Sequence, residues 1–289
     1  MQDVHVVECP RDAIQGWPSF ISTNDKIAYY RALLDVGFDT LDIGSFVSHK
    51  AVPQMADTHK VLRSLSEEGR LDGTTRVLTI VGNERGARDA CEFEGIDDIG
   101  FPFSISEQFQ LRNTGTTIEE ALERLSRIHE LVLAKNKRLI VYISMGFGNP
   151  YGDSWSPELL VDWSGKIIER YNPNVVALSD TIGKANSESI QNTFAALIPE
   201  FEKTDFGAHL HATPWDAMGK IKAAYNAGCL RFDGALRGIG GCPMAQDELV
   251  GNIPTEHVVE YFTALNQWSV KDSRAFAQAQ SIAADLFED

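Results

Sequence analysis

The sequence predicts an α/β protein that folds as a (β/α)8 TIM barrel with extra helices at its C-terminal end. Eight short runs rich in apolar and β-branched residues alternate with longer amphipathic runs along the 289 residues. Several of the short runs are almost continuously apolar, as parallel strands buried on both faces should be. No linker, low-complexity segment or change in composition divides the chain, so we expect one catalytic domain over residues 1–289.

Each predicted strand corresponds to one of the short apolar runs. In chain order the strands are residues 4–9, 40–46, 76–81, 97–103, 138–144, 175–180, 205–211 and 231–236. A doubly wound open sheet is the alternative arrangement, but such a sheet usually has a glycine-rich phosphate loop after its first strand. Here Pro10, Arg11 and Asp12 follow the first strand instead, which favours the barrel.

Residues typical of helix ends bound several of the longer runs. Thr23 can cap a helix for which Gly37 is the stop signal, and Thr117 with Glu120 forms a possible capping box for a later helix. A serine followed by proline at residues 156–157 is typical of a third helix start. These signals divide the amphipathic runs into separate helices, as a barrel requires.

Two further helices are predicted in the last third of the chain. Thr213 can cap a helix that has Pro214 at its first position, and Gly228 marks the end of that helix. The segment that contains Trp268 and the run 272–287 predicts extra helix, packed outside the barrel or between subunits.

The composition argues against several classes of partner. The chain has 41 acidic and 26 basic residues, a net charge of −15, which disfavours nucleic acid and anionic membranes as partners. No basic stretch followed by an apolar run begins the chain, and no apolar run approaches the length of a membrane span. The four cysteines, Cys9, Cys91, Cys229 and Cys242, have neither a zinc nor a disulfide spacing. We therefore expect reduced thiols in a cytoplasmic protein.

Potential metal ligands recur where the predicted strands end. His209 and His211 are two residues apart in one predicted strand, so their rings should lie on the same face. Alone, such a pair is better explained as two polar residues at a strand end that bind no metal. However, the carboxyl ends of all barrel strands meet at one mouth, and Asp12 and Asn252 should reach it too. A carboxylate, two imidazoles and an amide oxygen suit a hard or borderline divalent ion.

Other polar side chains follow the same strand ends. The set comprises Arg11, Gln15, Asp42, Ser45, Ser144, Asp180, Thr181 and a glycine-rich loop that leads into Cys242. Each has an ordinary structural explanation. Arg11 could form a loop salt bridge, Asp180 could cap a helix, and Cys242 could be an unreactive small residue in a turn. Their joint occurrence at five of the eight strand ends favours an active site.

The chain resembles 3-hydroxy-3-methylglutaryl-CoA (HMG-CoA) lyase, within the wider group of metal-dependent barrel lyases and acyltransferases that includes homocitrate and isopropylmalate synthases. The resemblance runs almost end to end and lies in the motifs CPRDAIQ, SFVSHKAVPQMAD, SDTIG, HLHATPW and GIGGCPMA followed by GN. The second motif and the GGCP loop favour the lyase branch over the synthases.

The resemblance implies roles for these residues. The implied ligands of a divalent metal, Mg²⁺ or Mn²⁺, are Asp12, His209, His211 and Asn252. The implied catalytic residues are Arg11, which would stabilise the thioester oxygen, Cys242, which would assist proton transfer from a mobile loop, and Asp180 and Asp42. We assign substrate binding to Gln15, Ser45, Ser144 and Thr181.

The implied reaction is a retro-Claisen cleavage of HMG-CoA, or of a closely related 3-hydroxyacyl-CoA, to acetyl-CoA and a ketone such as acetoacetate. The resemblance also implies an acyl-CoA substrate, a homodimer and a place in leucine degradation. One alternative is a condensing enzyme that joins an acyl-CoA to a 2-oxo acid. Another is a barrel that keeps a metal without catalysis, which the presence of Arg11, Asp180 and Cys242 disfavours.

Several positions depart from the family pattern. The family usually has Glu at Asp42, Thr at Gly44, Lys at Pro18 and Asp at Ala212, and the loop 242–252 is one residue longer than the common form. We expect the first two changes to enlarge the acyl pocket, and the third to alter how the charged end of CoA is held.

Overall fold

Eight parallel strands close into a barrel in the computed structural model, which describes residues 3–241 and 250–288. Each strand pairs with the next along the chain, and the first pairs with the last. The strands are β1 His5–Glu8, β2 Thr40–Phe46, β3 Arg76–Val81, β4 Asp98–Ser104, β5 Arg138–Ser144, β6 Val175–Asp180, β7 Asp205–Leu210 and β8 Arg231–Gly234. The predicted (β/α)8 barrel is therefore confirmed, and the open sheet is excluded.

The α-helices connect the strands on the outside and extend beyond the last one. They are α1 Pro10–Gln15, α2 Thr23–Val36, α3 Thr58–Glu67, α4 Glu84–Cys91, α5 Glu107–Thr114, α6 Ile118–Ala134, α7 Pro157–Tyr171, α8 Ser187–Glu200, α9 Ala217–Asn226, α10 Thr255–Ala264 and α11 Ser273–Leu286. Among the described residues, no helix combines the length and the apolar character needed to cross a membrane.

The predicted signals at the ends of α2 and α6 are present, but the residue that caps α2 is one position earlier than predicted. Thr117 and Glu120 form the predicted capping box at the start of α6. Helix α2 begins at Thr23, but its cap is Ser22, whose hydroxyl accepts from a backbone N–H of the first turn. Gly37 ends α2 in the left-handed conformation, with a φ of 80°, as predicted.

The stretch after the histidine pair differs from the prediction. Strand β7 ends just before His211, which instead forms an isolated bridge with Asn252. Thr213 does not cap a helix with Pro214 at its first position. A turn follows Thr213, and α9 begins only at Ala217. The bridge to Asn252 holds the chain extended beyond the strand end, which delays the helix.

The predicted C-terminal helix is confirmed, and it packs on the outside of the barrel of its own chain. Helix α11 contacts α2. Trp268, which precedes α11, stacks on Phe38 with a centroid distance of 5.9 Å, and its indole N–H donates to Asp39 at 2.7 Å. Phe287 packs edge-on against Trp17 at 5.2 Å. These contacts bury apolar surface that α2 would otherwise expose.

Side chains fill the interior of the barrel. Strands β3, β5 and β6 contribute an apolar cluster that consists of Leu78, Ile80, Ile140, Tyr142, Val175 and Ala177. The Arg231 guanidinium donates to the Tyr142 hydroxyl at 3.4 Å and lies 3.5 Å from Asp233 Oδ1. Asp233 in turn contacts His209. Polar side chains therefore fill the barrel interior near the carboxyl ends of the strands.

Candidate active site

The structure brings together the four residues that the sequence assigns to a metal. One ligand atom each of Asp12, His209 and His211 lie within 4.8 Å of one another, and the two imidazole centroids are 5.6 Å apart. Asn252 pairs with His211 in the isolated β-bridge, and its side-chain amide donates to Asp12 Oδ2 at 2.8 Å. Helix α1 carries Asp12 to this position directly after β1. Metal binding by this group stays a prediction.

The chemistry of the group fits a divalent cation. His211 is buried, and its ring lies beside Asp12 and His209. Burial and the neighbouring His209 lower the pKa of His211 to about 4, so its ring is neutral at pH 7. Neutral imidazole is the form that ligates a metal.

Asp233 on β8 orients His209. Its carboxylate Oδ2 lies 3.2 Å from His209 Nδ1. Burial alone would lower the pKa of His209, but the hydrogen bond with Asp233 and the charge of Asp12 raise it above the ordinary value. A carboxylate behind a ligating histidine fixes the tautomer and leaves the other ring nitrogen for the metal. Cys9 lies within 4.8 Å of the same pair, in a second group of potential ligands.

Arg11 is held as a fixed cation at the edge of the site. Its Nε donates to Asp42 Oδ2 at 3.0 Å, and its Nη1 donates to Asp12 Oδ1 at 2.9 Å. Burial alone would lower the pKa of Arg11, but these two carboxylates raise it above the ordinary value. The guanidinium is therefore charged, preoriented and directly beside the potential metal ligands.

Asp42 is fully buried and contacts Arg11, and it does not line the cavity that opens beside these groups. Burial raises the pKa of Asp42 to about 6, against the opposing charge of Arg11, so the carboxylate is ionised at pH 7. The register between β2 and β3 shifts between Asp42 and Gly44, as in a β-bulge. With this shift, the Ser45 side chain reaches the cavity and Asp42 reaches Arg11, although the two residues are three apart in sequence.

Neither Asp42 nor Gly44 lines the cavity beside these groups, and the expectation that they enlarge the acyl pocket stays a prediction. A Cβ atom at Gly44 would lie 2.6 Å from Thr58 Cγ2, so the space beside Gly44 is filled by the Thr58 side chain. Thr58 Oγ1 accepts from the N–H of Ser45 at 3.3 Å, which ties this part of β2 to α3.

Asp180, which the sequence assigns to catalysis, lies behind the cavity wall. Its carboxylate accepts from Lys220 Nζ at 2.9 Å and from the N–H of Ala185 at 3.1 Å. Burial raises the pKa of Asp180, against the charge of Lys220. Lys220 also donates to the carbonyl oxygen of His211 at 2.6 Å, so the pair supports the backbone of a potential ligand. The sequence prediction missed Lys220, because a lone lysine on a helix is usually solvated.

A cavity of about 330 Å³ opens beside these groups; we call it the site cavity. Its polar lining includes all four residues predicted to bind substrate: Gln15, Ser45, Ser144 and Thr181. The Ser45 hydroxyl is buried and has no partner in the described part of the chain, so it can bond to a ligand. The apolar lining of the site cavity includes Val52, Ile80, Pro102, Phe109 and Tyr142. Substrate binding by the four polar residues stays a prediction.

The glycine-rich loop after β8 approaches the ligand group closely. Gly240 has a φ of 116°, and a side chain there would collide with the Asn252 amide and approach Asp12. Only glycine satisfies both demands. Cys242, the predicted proton donor, lies outside the described residues.

The chain is similar in sequence to known hydroxymethylglutaryl-CoA lyases. The model of the HMGL-like family matches residues 6–284. Hydroxymethylglutaryl-CoA lyase YngG of Bacillus subtilis is 31% identical over 250 residues, which cover 86% of this chain and 81% of that protein. The 3-hydroxy-3-isohexenylglutaryl-CoA/hydroxy-methylglutaryl-CoA lyase of Pseudomonas aeruginosa is 31% identical over 285 residues, which cover 98% and 93%.

A solved structure shows the same architecture. The HMG-CoA lyase of Brucella melitensis superposes with a TM-score of 0.89 at 27% identity, and the match covers 100% of both chains. The similarity therefore extends over the whole barrel and the C-terminal helices.

Proposed function

The chain belongs to the HMGL-like family and is a lyase, and from this premise we propose that it cleaves HMG-CoA or a closely related 3-hydroxyacyl-CoA. The products would be acetyl-CoA and a ketone such as acetoacetate. The observation that carries the proposal is the position of Asp12, which lies between the Arg11 cation and the two histidines. A retro-Claisen cleavage needs both a metal site and a positive group for the enolate, side by side.

The proposed roles follow the charge that develops during cleavage. Asp12, His209, His211 and Asn252 would hold the divalent ion, which would supply Lewis-acid chemistry that makes a substrate hydroxyl more acidic. Once a base has accepted the proton of the 3-hydroxyl, the C2–C3 bonding electrons move onto the acetyl-CoA fragment as an enolate, and C3 becomes a ketone carbon. Arg11 stabilises the negative thioester oxygen of this enolate, because its guanidinium is already oriented and needs no reorganisation.

Of the remaining catalytic residues, one is proposed to contact the substrate and two to act through neighbouring residues. We propose that Cys242 protonates the enolate carbon, on the basis of the family resemblance; Cys242→Ser should then keep the metal and slow turnover. Asp42 would act through Arg11, since its carboxylate touches only that side of the site. Asp180 would act through Lys220 and the His211 backbone.

The ion, the assembly and the compartment are also proposed. The mixture of one carboxylate, one amide and two imidazoles favours Mg²⁺ or Mn²⁺ over a thiolate-bound zinc. A homodimer and a role in leucine degradation rest on the family resemblance. A cytoplasmic location is supported by Cys9, Cys91 and Cys229, which are free thiols.

The apolar side of the site cavity supports substrates with a larger 3-alkyl group. Ile80, Pro102, Phe109 and Tyr142 supply an apolar wall beside the polar groups. The Pseudomonas aeruginosa relative is named for a 3-isohexenyl as well as a methyl substrate. We therefore propose that 3-hydroxyacyl-CoAs with longer 3-alkyl chains are accepted at least as well as the methyl compound.

A thioester screen tests the proposed function. Metal-loaded protein is incubated with 3-hydroxyglutaryl-CoA thioesters that carry methyl, propyl or isohexenyl groups at C3, and acetyl-CoA and ketone are quantified. We expect both products in equal amounts from the methyl compound, and kcat/KM for the longer chains at least as high. Folded, metal-loaded protein that releases no acetyl-CoA from any of them would reject the lyase and favour the condensing reaction, which is assayed as CoA release from acetyl-CoA and 2-oxo acids.

A further inference from the structure

A second group of potential metal ligands, Cys9, His209 and Asp233, lies beside the first. One ligand atom of each residue lies within 4.8 Å of those of the other two. The three residues come from three adjacent strands, because His209 on β7 pairs in register with Asp233 on β8, and Cys9 directly follows β1, which pairs with β8. Neighbouring strands are about 4.8 Å apart, so the barrel itself brings these side chains within reach of a single ion.

The thiol of Cys9 is available to a ligand. Cys9 is 1% exposed, and within residues 3–241 and 250–288 no group accepts a hydrogen bond from its sulfur. The equally buried thiol of Cys229, by contrast, donates to the carbonyl oxygens of Phe206 and Arg231 at 3.5 and 3.3 Å. The two buried cysteines therefore differ in whether the fold already uses the sulfur atom.

Asp233 can ligate an ion in this group while it keeps its contact with Arg231. The guanidinium Nε of Arg231 lies 3.5 Å from Asp233 Oδ1, whereas Oδ2 lies 3.2 Å from His209 Nδ1. Oδ2 is therefore the carboxylate oxygen that faces the second group. Together with a Cys9 thiolate, it would offer a buried dication two negative charges, which a buried ion requires.

The donor atoms of the second group select a different ion from those of the first. The four predicted ligands of the first group offer oxygen and imidazole nitrogen, which suit Mg²⁺ or Mn²⁺. The second group adds a thiolate, a soft ligand that favours ions with high affinity for sulfur. Cysteine sulfur, histidine nitrogen and carboxylate oxygen are the ligand atoms that Zn²⁺ takes in proteins, and Cd²⁺ is a heavier ion of the same class.

His209 belongs to both groups, so occupation of one group prevents occupation of the other. Its Nδ1 faces Asp233, and Nε2 is the nitrogen left for the metal of the first group. A neutral imidazole has one N–H and one nitrogen with a free lone pair. An ion bound at Nδ1 leaves the ring proton on Nε2, and Nε2 then cannot ligate.

We propose that Cys9, His209 and Asp233 form a second metal site that binds Zn²⁺ or Cd²⁺ and inhibits the enzyme by taking His209 from the first site. The Cys9 thiol releases its proton to solvent when the ion binds, because the thiolate is the ligand. The inhibition rests on the proposed function, whereas the binding of the ion does not.

Cadmium absorption tests the binding without catalysis. Full-length protein in excess Mg²⁺ is titrated with Cd²⁺, and the thiolate-to-metal charge-transfer band is recorded in the ultraviolet. All proteins carry Cys242→Ser, so that the cysteine of the glycine-rich loop contributes no band. We expect the band to saturate at one Cd²⁺ per chain in this parent and in the matched control with Cys229→Ser, and to be absent when Cys9→Ser or Cys9→Ala is added.

Two results of the cadmium titration would overturn the inference. One is a parent protein that shows no thiolate band. The other is a band of equal strength in the Cys9 variants, with their fold verified by circular dichroism.

Zinc inhibition tests the second part of the inference. Acetyl-CoA release from HMG-CoA is measured at fixed Mg²⁺ and rising Zn²⁺, and each protein is compared with its own rate without Zn²⁺. The Zn²⁺ concentration that halves the rate should be about 10–100-fold higher for Cys9→Ser than for wild type and Cys229→Ser, as for loss of a contact that supports a metal site. Equal Zn²⁺ sensitivity of the three proteins would reject inhibition through Cys9.

The two experiments also separate this inference from the proposed function. If the wild type cleaves no thioester but the cadmium band depends on Cys9, the proposed function fails and the second metal site stands. If cleavage is normal and the band does not depend on Cys9, the second site alone is rejected.

Discussion

Arg11 is fixed from two directions, by Asp42 on one side and Asp12 on the other. This arrangement gives the site a planar, oriented positive charge that a lysine cannot reproduce, since an ammonium makes no two-pronged contact. Arg11 has no acceptor atom and is therefore not a metal ligand itself.

Replacing Arg11 with lysine separates enolate stabilisation from metal binding. We expect Arg11→Lys to bind one metal ion per chain while its kcat for HMG-CoA falls about 10²–10³-fold, or ~3–4 kcal/mol, as for loss of one oxyanion donor. Metal content by elemental analysis and kcat by acetyl-CoA release measure the two effects, with Arg63→Lys as the matched control. Loss of the metal in Arg11→Lys would mean that the assigned roles are wrong.

Lys220 and Asp180 form a buried ion pair whose partners must be tested together. Lys220→Met leaves the Asp180 carboxylate buried without its cation, which should cost about 3–5 kcal/mol of unfolding free energy. The double variant Lys220→Met/Asp180→Asn should recover most of that loss, since no unpaired charge remains. Urea unfolding measures the stability, and metal titration should show weakened affinity in both variants because the His211 carbonyl loses its donor. Full metal affinity in the double variant would limit the pair to a purely structural role.

Side chains that follow strand ends could be predicted from the sequence, whereas their supporting partners could not. Asp12 and His209 were accessible because barrel strands all end at one mouth. Asp233 lies inside a strand, and Lys220 lies on a helix beyond a turn, so neither has a pattern that distinguishes it from an ordinary charged residue. Their roles depend on contacts between distant parts of the chain.

At the level of elements, periodicity located the strands and the longer helices but not the short ones. Helix α1 has only six residues, most of them buried, so it has no amphipathic pattern to detect. The shift in β2 register and the late start of α9 depend on pairing with neighbouring segments, through Thr58 and Asn252 respectively. Local sequence does not contain that information.

Glu8 links β1 to the segment after β8 and makes stability depend on pH. It is fully buried, accepts from the N–H of Leu236 at 3.0 Å and from the hydroxyl of Thr255, and burial raises its pKa to about 8. A raised folded-state pKa of a carboxyl stabilises the protein at low pH, and this contribution is lost as pH rises from about 4.5 to about 8.

We therefore expect Glu8→Gln to gain stability relative to wild type as the pH is raised from 5 to 8, by at most ~1.4 kcal/mol per pH unit. The measurement is the free energy of unfolding in urea at several pH values. The exposed Glu67→Gln variant serves as the control for a general charge effect. Parallel stability curves for Glu8→Gln and wild type would show that Glu8 does not titrate in this range.

At the scale of the whole molecule, the C-terminal helices are part of the stability of the barrel. Trp268 stacks on Phe38 and its indole N–H donates to Asp39. It therefore attaches the segment before α11 to the turn between α2 and β2. Trp268→Ala should lower the free energy of unfolding by about 2–3 kcal/mol, somewhat less than for a fully buried tryptophan.

The matched control for this variant is Trp215→Ala, because Trp215 is 92% exposed. Its unfolding free energy should change by no more than about 0.5 kcal/mol. Equal losses in the two variants would contradict the contribution assigned to the C-terminal packing.

Removal and return of the metal tests the central claim, that Asp12, His209, His211 and Asn252 form a catalytic metal site in a lyase. The protein is stripped with a chelator, its metal content is verified by elemental analysis, and acetyl-CoA release from HMG-CoA is measured before and after Mg²⁺ or Mn²⁺ is added. We predict negligible release without metal, and restored release that saturates at one ion per chain. Full acetyl-CoA release by verified metal-free protein would contradict the account.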